Sequence, residues 1–323
     1  MVALVTTAQA VEQRVDLPNG GFVTVDPDYD LPGVTPVENA GLVRWYDQNS
    51  SLVRAVHGST ANDRVGSGGV TVIGNDGFLI SSPSWDNGAV VDAGALTFSE
   101  VLWSITPGVS GAVSATNSRV GSATGDLVIS GDVLLVNTGS FVVCCPQWDN
   151  GAATDAGAVI TGGLIGGTDP FVGLVSASNA MVGTSANDQV GSGGVFQPFP
   201  EAPPVVHSPL WDNGGVVNAG AVTFLFLEVI PNSQYGVVSA TNSLVGSSAN
   251  DQIGSGGIVA MPGMGLPMVH SPLWDNGGAV NAGAVTTLIP PGYPGATIGV
   301  VTSSNSLVGS STNDQIGSGG IIP

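Results

Sequence analysis

The chain has 323 residues, of which 42% are apolar and only 9% charged, with a formal net charge of −19. It has no lysine, and its five arginines (Arg14, Arg44, Arg54, Arg64 and Arg119) all precede residue 120. Nothing here can neutralise a phosphate backbone or an anionic membrane surface, which excludes nucleic acid as a partner and leaves other surface proteins, glycans, cations or a second copy of the chain.

Residues 1–10 end in Ala8-Gln9-Ala10, a small-x-small triplet like the end of a secretory signal, yet they lack a basic start and a long apolar run. They read either as a signal remnant or as an ordinary N-terminal strand, and residues 1–20 are set apart as a tail. No apolar run approaches the ~20 residues of a membrane helix, so no transmembrane segment is expected. The two cysteines are the neighbours Cys144 and Cys145. On a strand their side chains point to opposite faces, so they read as core or strand residues without a mutual disulfide.

From residue 21 onward a single unit recurs. Its fullest copy is His207 to Phe224, and its Trp-Asp-Asn-Gly centre appears at Trp85, Trp148, Trp211 and Trp274, always 63 residues apart. Gly21 to Asp30 aligns with the stretch ending at Trp274-Asp275, keeping the proline, the aromatic and the aspartate, and so reads as a degenerate fifth copy. Asn39-Ala40-Gly41 then matches the later Asp/Asn-Ala-Gly triplets, but the first copy is shortened, because Gly41 to Gly94 spans 53 residues. A second signature follows each copy, Asn62-Asp63-Arg64-Val65-Gly66 being the first, with its aspartates at Asp63, Asp126, Asp188, Asp251 and Asp314.

Each repeat contains four candidate strands, as in Gln252 to Ala260, Pro267 to Ser271, Ala282 to Leu288 and Ile298 to Val308. All are short, rich in β-branched residues and bounded by Gly, Pro, Asn or Ser, without a sustained helical period. An all-β protein is expected. Four antiparallel strands per repeat of about 60 residues make the blade of a β-propeller. The expected architecture is a five-bladed propeller filling residues 21–323 as one domain and closed by strands from both termini. Its composite blade joins residues 21–57 to 313–323, and its other repeats run 64–121, 127–183, 189–246 and 252–309. A strand-exchanged filament and a β-solenoid are the alternatives.

The order Val-Gly-Ser-Gly-Gly, then apolar-apolar-x-Ser-Pro, then Ala-Gly-Ala-Val resembles the FG-GAP repeat of integrin-α-type propellers. It resembles still more a glycine- and asparagine-rich repeat of unknown function in large bacterial surface and secreted proteins. The resemblance runs from about residue 21 to 322 and implies a secreted or cell-surface location. Integrin-type propellers often carry a calcium loop between the first two strands. Here those positions read Ile73-Gly74-Asn75-Asp76-Gly77 in one repeat but Gln197-Pro198-Phe199-Pro200 and Met261-Pro262-Gly263-Met264 in others. Too few oxygens stand there for a hard cation, so no cofactor is called for, with calcium kept as a weak alternative.

Candidate ligand-binding residues are the repeated triplets Trp85-Asp86-Asn87, Trp148-Asp149-Asn150, Trp211-Asp212-Asn213 and Trp274-Asp275-Asn276. One reading makes them tight turns, with Asp capping backbone amides, the following Gly at positive φ and Trp packed in the core. The other makes them sugar-binding loops with exposed tryptophan faces. The second aspartate set either receives backbone amides or forms a ring of cation-binding carboxylates. His207 and His270 stand where other repeats place Val25, Ser81 and Cys144, which argues against a ring of metal ligands. No nucleophile elbow is present, and the carboxylates that break the repeat (Asp26, Asp28, Glu38, Glu100, Glu201 and Glu228) are scattered. The expectation is an extracellular structural, adhesive or interaction module able to self-assemble, and no enzyme. A lectin using the Trp-Asp-Asn-Gly loops and, further off, a glycoside-active propeller are the alternatives.

Overall fold

The computed structural model describes residues 12–75, 77–100, 109–128, 131, 133–136, 139–163, 171–200, 202–226, 235–261 and 266–320, and among these the chain forms strands and turns with no helix. The first repeat carries β1 (Gln13–Asp16), β2 (Phe22–Asp26), β3 (Leu42–Tyr46) and β4 (Leu52–His57). The second carries β5 (Gly69–Ile73), β6 (Gly77–Ser82), β7 (Ala95–Glu100), β8 (Gly111–Ala112) and β9 (Arg119–Val120). The third has β10 (Val133–Val136), β11 (Ser140–Cys145), β12 (Ala158–Gly163), β13 (Gly173–Leu174) and β14 (Ala180–Val182). The fourth has β15 (Val195–Phe196), β16 (Val205–Ser208), β17 (Ala221–Phe224), β18 (Gly236–Val237) and β19 (Ser243–Val245). The fifth has β20 (Gly257–Ala260), β21 (Pro267–Ser271), β22 (Ala284–Thr287), β23 (Gly299–Val300) and β24 (Leu307–Val308).

These strands divide between two compact units. One comprises Met1–Ile129 with Thr168–Leu174, the other Ser130–Gly167 with Val175–Pro323. The first unit holds two open sheets, ordered β1-β2-β3-β4-β8 and β5-β6-β7-β9-β13. The second holds three, ordered β10-β11-β12-β14-β18, β15-β16-β17-β19-β23 and β20-β21-β22-β24.

Four strands of each sheet come from one repeat and pair antiparallel, as the sequence leads one to expect. The fifth does not. It is two residues long, belongs to the following repeat and pairs in parallel, through Val56 with Gly111, Arg119 with Gly173, Met181 with Gly236 and Leu244 with Gly299. The reason lies in one turn in each of the second to fifth repeats. Asn242 accepts the Ser239 amide at 2.9 Å and donates to the Val237 carbonyl at 3.0 Å, folding the chain back on itself just before β19. The single candidate strand Ile298 to Val308 is divided in the same way into β23 and β24, with Asn305 in the same role.

The composite blade requires a correction. The first-strand place in the first sheet, assigned above to residues 313–323, is occupied by β1, which pairs antiparallel with β2 from Gln13 opposite Val25 to Asp16 opposite Phe22. Part of the stretch set apart as a tail is therefore a strand. The Arg14 guanidinium lies 3.7 Å over the Phe22 ring, and Arg44 binds Glu12 at 2.8 Å, so the short strand is clamped by side chains as well as by its ladder. Residues 1–11 and 321–323 lie outside the described residues.

Aliphatic side chains on the strands pack between consecutive sheets. In the first unit Val23, Val25, Val43 and Trp45 are buried with Val65, Phe78, Ile80 and Trp85. In the second, Val142, Cys144, Val159 and Met181 meet Val190, Val206, Trp211 and Val245, while Val205, Val222, Phe224 and Leu244 meet Ile253, Val269, Trp274 and Leu288. Both cysteines are buried on β11. Sheets with one apolar face need such a partner, and within each unit a repeat supplies the cover for the one before it.

Candidate functional site

The Trp-Asp-Asn-Gly segments follow the second strand of their repeats. In the second repeat the Asn87 and Val90 amides and carbonyls bond each other at 2.9 and 3.2 Å, closing a tight turn in which Gly88 has φ 66°. The equivalent Gly151, Gly214 and Gly277 have φ 63°, 63° and 60°, the left-handed region that a glycine takes without strain. The aspartate reaches past this turn. Asp86, Asp149, Asp212 and Asp275 each accept the amide six residues on at 2.7–2.9 Å, from Asp92, Asp155, Asn218 and Asn281 respectively. The asparagine amides of Asn87, Asn150, Asn213 and Asn276 donate at 2.8–3.0 Å to the carbonyls of Gly121, Gly183, Gly246 and Gly309. Each loop is thus tied to its own repeat through main-chain groups.

The four tryptophans do not stand out as stacking platforms. Trp85, Trp148, Trp211 and Trp274 are only 2–3% exposed, and each indole Nε1 is buried without an acceptor. This corrects the sugar-stacking role considered for them. A ring sealed between sheets cannot present a face to a pyranose, and its energetic part is core packing.

The second aspartate set joins the same frame. The Asp251 carboxylate accepts the amides of Ser247 and Ser248 at 2.8 Å through Oδ2 and that of Asp275 at 3.0 Å through Oδ1. Asp188 does the same with Thr184, Ser185 and Asp212, and Asp63 with Ser59, Thr60 and Asp86. Each of these carboxylates therefore fixes the loop before it and docks the Trp-Asp-Asn-Gly turn of the repeat behind it. Burial pushes the Asp188 and Asp251 carboxyls above the usual carboxylate range; their amide donors pull in the opposite direction and the nearby Asp212 and Asp275 charges push the same way. Glycine is required where the backbones meet. Gly220 has φ 77°, and a Cβ there would lie 2.3 Å from the Ile253 amide nitrogen.

His207 and His270 are held below the ordinary imidazole range by burial, and both nitrogens of His270 are buried without a partner, as is Nε2 of His207. A neutral imidazole filling core space accounts for them. Asp26 is pushed up mainly by burial, while Glu201 and Glu228 and the side chain of Glu100 lie outside the described residues. Asp76, in the loop compared with a calcium site, lies outside them too. Among the described residues no three His, Cys, Asp or Glu side chains come together as a group that could hold a metal ion. No described helix is long and apolar enough to cross a membrane.

The reading of the sequence missed the donated strands and the asparagines behind them, Asn117, Asn179, Asn242 and Asn305. Their signal was a hydroxyl-small-hydroxyl-Asn run, Ser239-Ala240-Thr241-Asn242 in the fourth repeat, which is turn chemistry within a stretch otherwise rich in valine.

A family model described as a repeat of unknown function, DUF5650, matches residues 72–130, 135–192, 204–255 and 267–318. These four matches cover more than half of the chain, and the chain belongs to that repeat family. The match agrees with the resemblance to a glycine- and asparagine-rich repeat of unknown function. No curated protein matches the chain.

Proposed function

We propose that this member of the DUF5650 repeat family is an extracellular structural and interaction module that assembles with copies of itself. One observation carries the reading: four of the five sheets are completed by a strand from the neighbouring repeat, so the binding chemistry of the fold is strand addition. The repeated Asp and Asn side chains favour it as well, because they are used to join loop to loop within and between repeats instead of facing a ligand. A chain rich in Gly, Ser and Asn, with 9% charged residues and no lysine, suits a secreted or surface-attached protein. The turn tips also present one aliphatic side chain in several repeats, Val91, Val217 and Val280 being 50–52% exposed, which suits contact with other surface proteins.

The test is the mass of the particle in solution, by light scattering coupled to size exclusion over a range of concentrations, with and without calcium. The reading predicts a mass that rises above 32.0 kDa with concentration and does not depend on calcium. A monodisperse 32.0 kDa particle at every concentration would refute self-assembly. The lectin alternative loses its apolar platform with the burial of the four tryptophans, and no other observation favours it.

A further inference from the structure

Three of the arginines meet a carboxylate, Arg14 with Asp16, Arg44 with Glu12 and Arg64 with Asp28. Arg119 donates to the Val172 carbonyl at 2.6 Å. Arg54 has no such partner. Its guanidinium carbon lies 5.9 Å from the centroid of the Trp45 ring, and its Nη1 is buried without an acceptor. Arginine stays charged across the whole working range of pH, so Nη1 is a desolvated cationic donor with nothing to receive it. Such a group costs stability until a ligand completes it.

The shortened first repeat puts it there. Arg54 precedes Gly58 by four residues, the place that Asn117, Asn179, Asn242 and Asn305 hold before Gly121, Gly183, Gly246 and Gly309. Asn117, Asn242 and Asn305 donate to the carbonyls of Ala112, Val237 and Val300, each closing the loop that carries a donated strand. In the first repeat β3 and β4 are joined directly by the turn from Asp47 to Ser51, so there is no such loop to close. The position carries a long cationic side chain instead, at the gap between the first and second sheets, both of which lie in the first unit.

A hollow of about 10 Å³ occupies that gap, walled by Val43, Trp45, Phe78 and Ile80 beside Arg54. Ser99 on β7 faces it too; this serine is 4% exposed, and its hydroxyl makes no hydrogen bond among the described residues. A space of this size takes one body about as large as a water molecule. It admits a single halide ion and excludes a carboxylate, a sulfate or a phosphate. A water molecule would accept from Nη1 but leave the positive charge uncompensated among apolar walls. A halide accepts from Nη1 and from the Ser99 hydroxyl, which rotates to donate, and it cancels the charge.

We propose that this hollow is a binding site for one chloride ion, held by Arg54 Nη1 and the Ser99 hydroxyl between the first and second sheets. The net charge of −19 keeps small anions from the rest of the chain, so a single saturable site is expected.

The line width of the chloride NMR signal, measured with the full-length protein in sodium gluconate buffer, tests this. The unaltered chain is expected to broaden the signal, bromide to reverse the broadening by competition, and sulfate at the same ionic strength to leave it. Arg54→Met keeps an unbranched apolar stem against Trp45 and is expected to abolish the broadening. Ser99→Ala removes one donor and is expected to weaken binding about tenfold, the effect of one hydrogen bond to a charged group. If Arg54→Met fails to fold, Ser99→Ala and the competition on the unaltered chain decide. A signal that the unaltered chain does not broaden overturns the site. Broadening that is undiminished in the folded variants, or that sulfate reverses as well as bromide does, overturns it too, because the ion then sits on an open surface elsewhere.

Discussion

Replacing Asp251 by alanine removes the acceptor of three backbone amides at once, those of Ser247, Ser248 and Asp275. Asp251 is 0% exposed, and its bond to the Asp275 amide is part-buried. A hydrogen bond to a charged group contributes about 1.5–3 kcal/mol, and a buried donor left unpaired costs about 1–3 kcal/mol. Discounting the two serine amides at the loop surface, the expected loss is about 3–5 kcal/mol. Asp314 provides the control within the same chain. It holds the same two loop amides, but the carboxylate is exposed and has no third partner, so Asp314→Ala is expected to cost only about 0.5–1.5 kcal/mol. Urea unfolding followed by tryptophan fluorescence compares the two, since Trp274 immediately precedes the amide that Asp251 holds. Equal losses for the two variants would refute the idea that the buried aspartates bind each repeat to the next.

Gly214→Val is expected to destabilise by about 1–3 kcal/mol through backbone strain alone, because φ is 63° and an added Cβ meets nothing within 4 Å. Gly214→Asn should recover most of that loss, as asparagine tolerates this conformation, and thermal melts of both variants check it. Trp211→Ala should cost about 3–5 kcal/mol as a core cavity; a selective loss of glycan binding at unchanged melting temperature would instead restore the sugar-platform reading. His207 and His270 have folded values below the ordinary 6.5, so the unfolded chain takes up protons first. Their contribution is complete above pH 6.5 and is lost as pH falls through the lowered folded values. Asp188 and Asp251, with raised values, act in the opposite sense, favouring the fold at low pH and losing that contribution as pH rises from 3.8 through the raised values. Urea midpoints should therefore fall on acidification below pH 6.5, and His207→Val with His270→Val should flatten that fall. An unchanged slope would contradict the assignment of buried neutral imidazoles.

The second and third strands were legible from the sequence because alternation and turn residues bound them together: Pro267 to Ser271 is β21 itself, and Ala282 to Leu288 contains β22. The first candidate strand began too early. Gln252 and Gly254 both have positive φ, so the chain turns until Gly257, and a valine- and isoleucine-rich count does not see that. The fourth was one element in the sequence and two in the structure, because Asn305 bonds its own loop and reverses the chain. The place of the tryptophans was not legible at all. A residue at the edge of a tight turn has no period to place it inside or outside, and only the neighbouring sheet, built from residues far away in sequence, encloses Trp211 and Trp274. Closure of the first sheet was misassigned because Gln13–Asp16 is a polar strand, held by a ladder and by arginine contacts instead of an apolar face.

Hydrogen exchange at single amides tests the central claim, that each repeat is completed by the next. The amides of Val113, Val238 and Val301 donate to the His57, Val182 and Val245 carbonyls of the preceding repeats at 2.9–3.0 Å. They are expected to exchange as slowly as amides within β16 and β17. Exchange of these three at the rate of an open chain, with β16 and β17 still protected, would contradict the account.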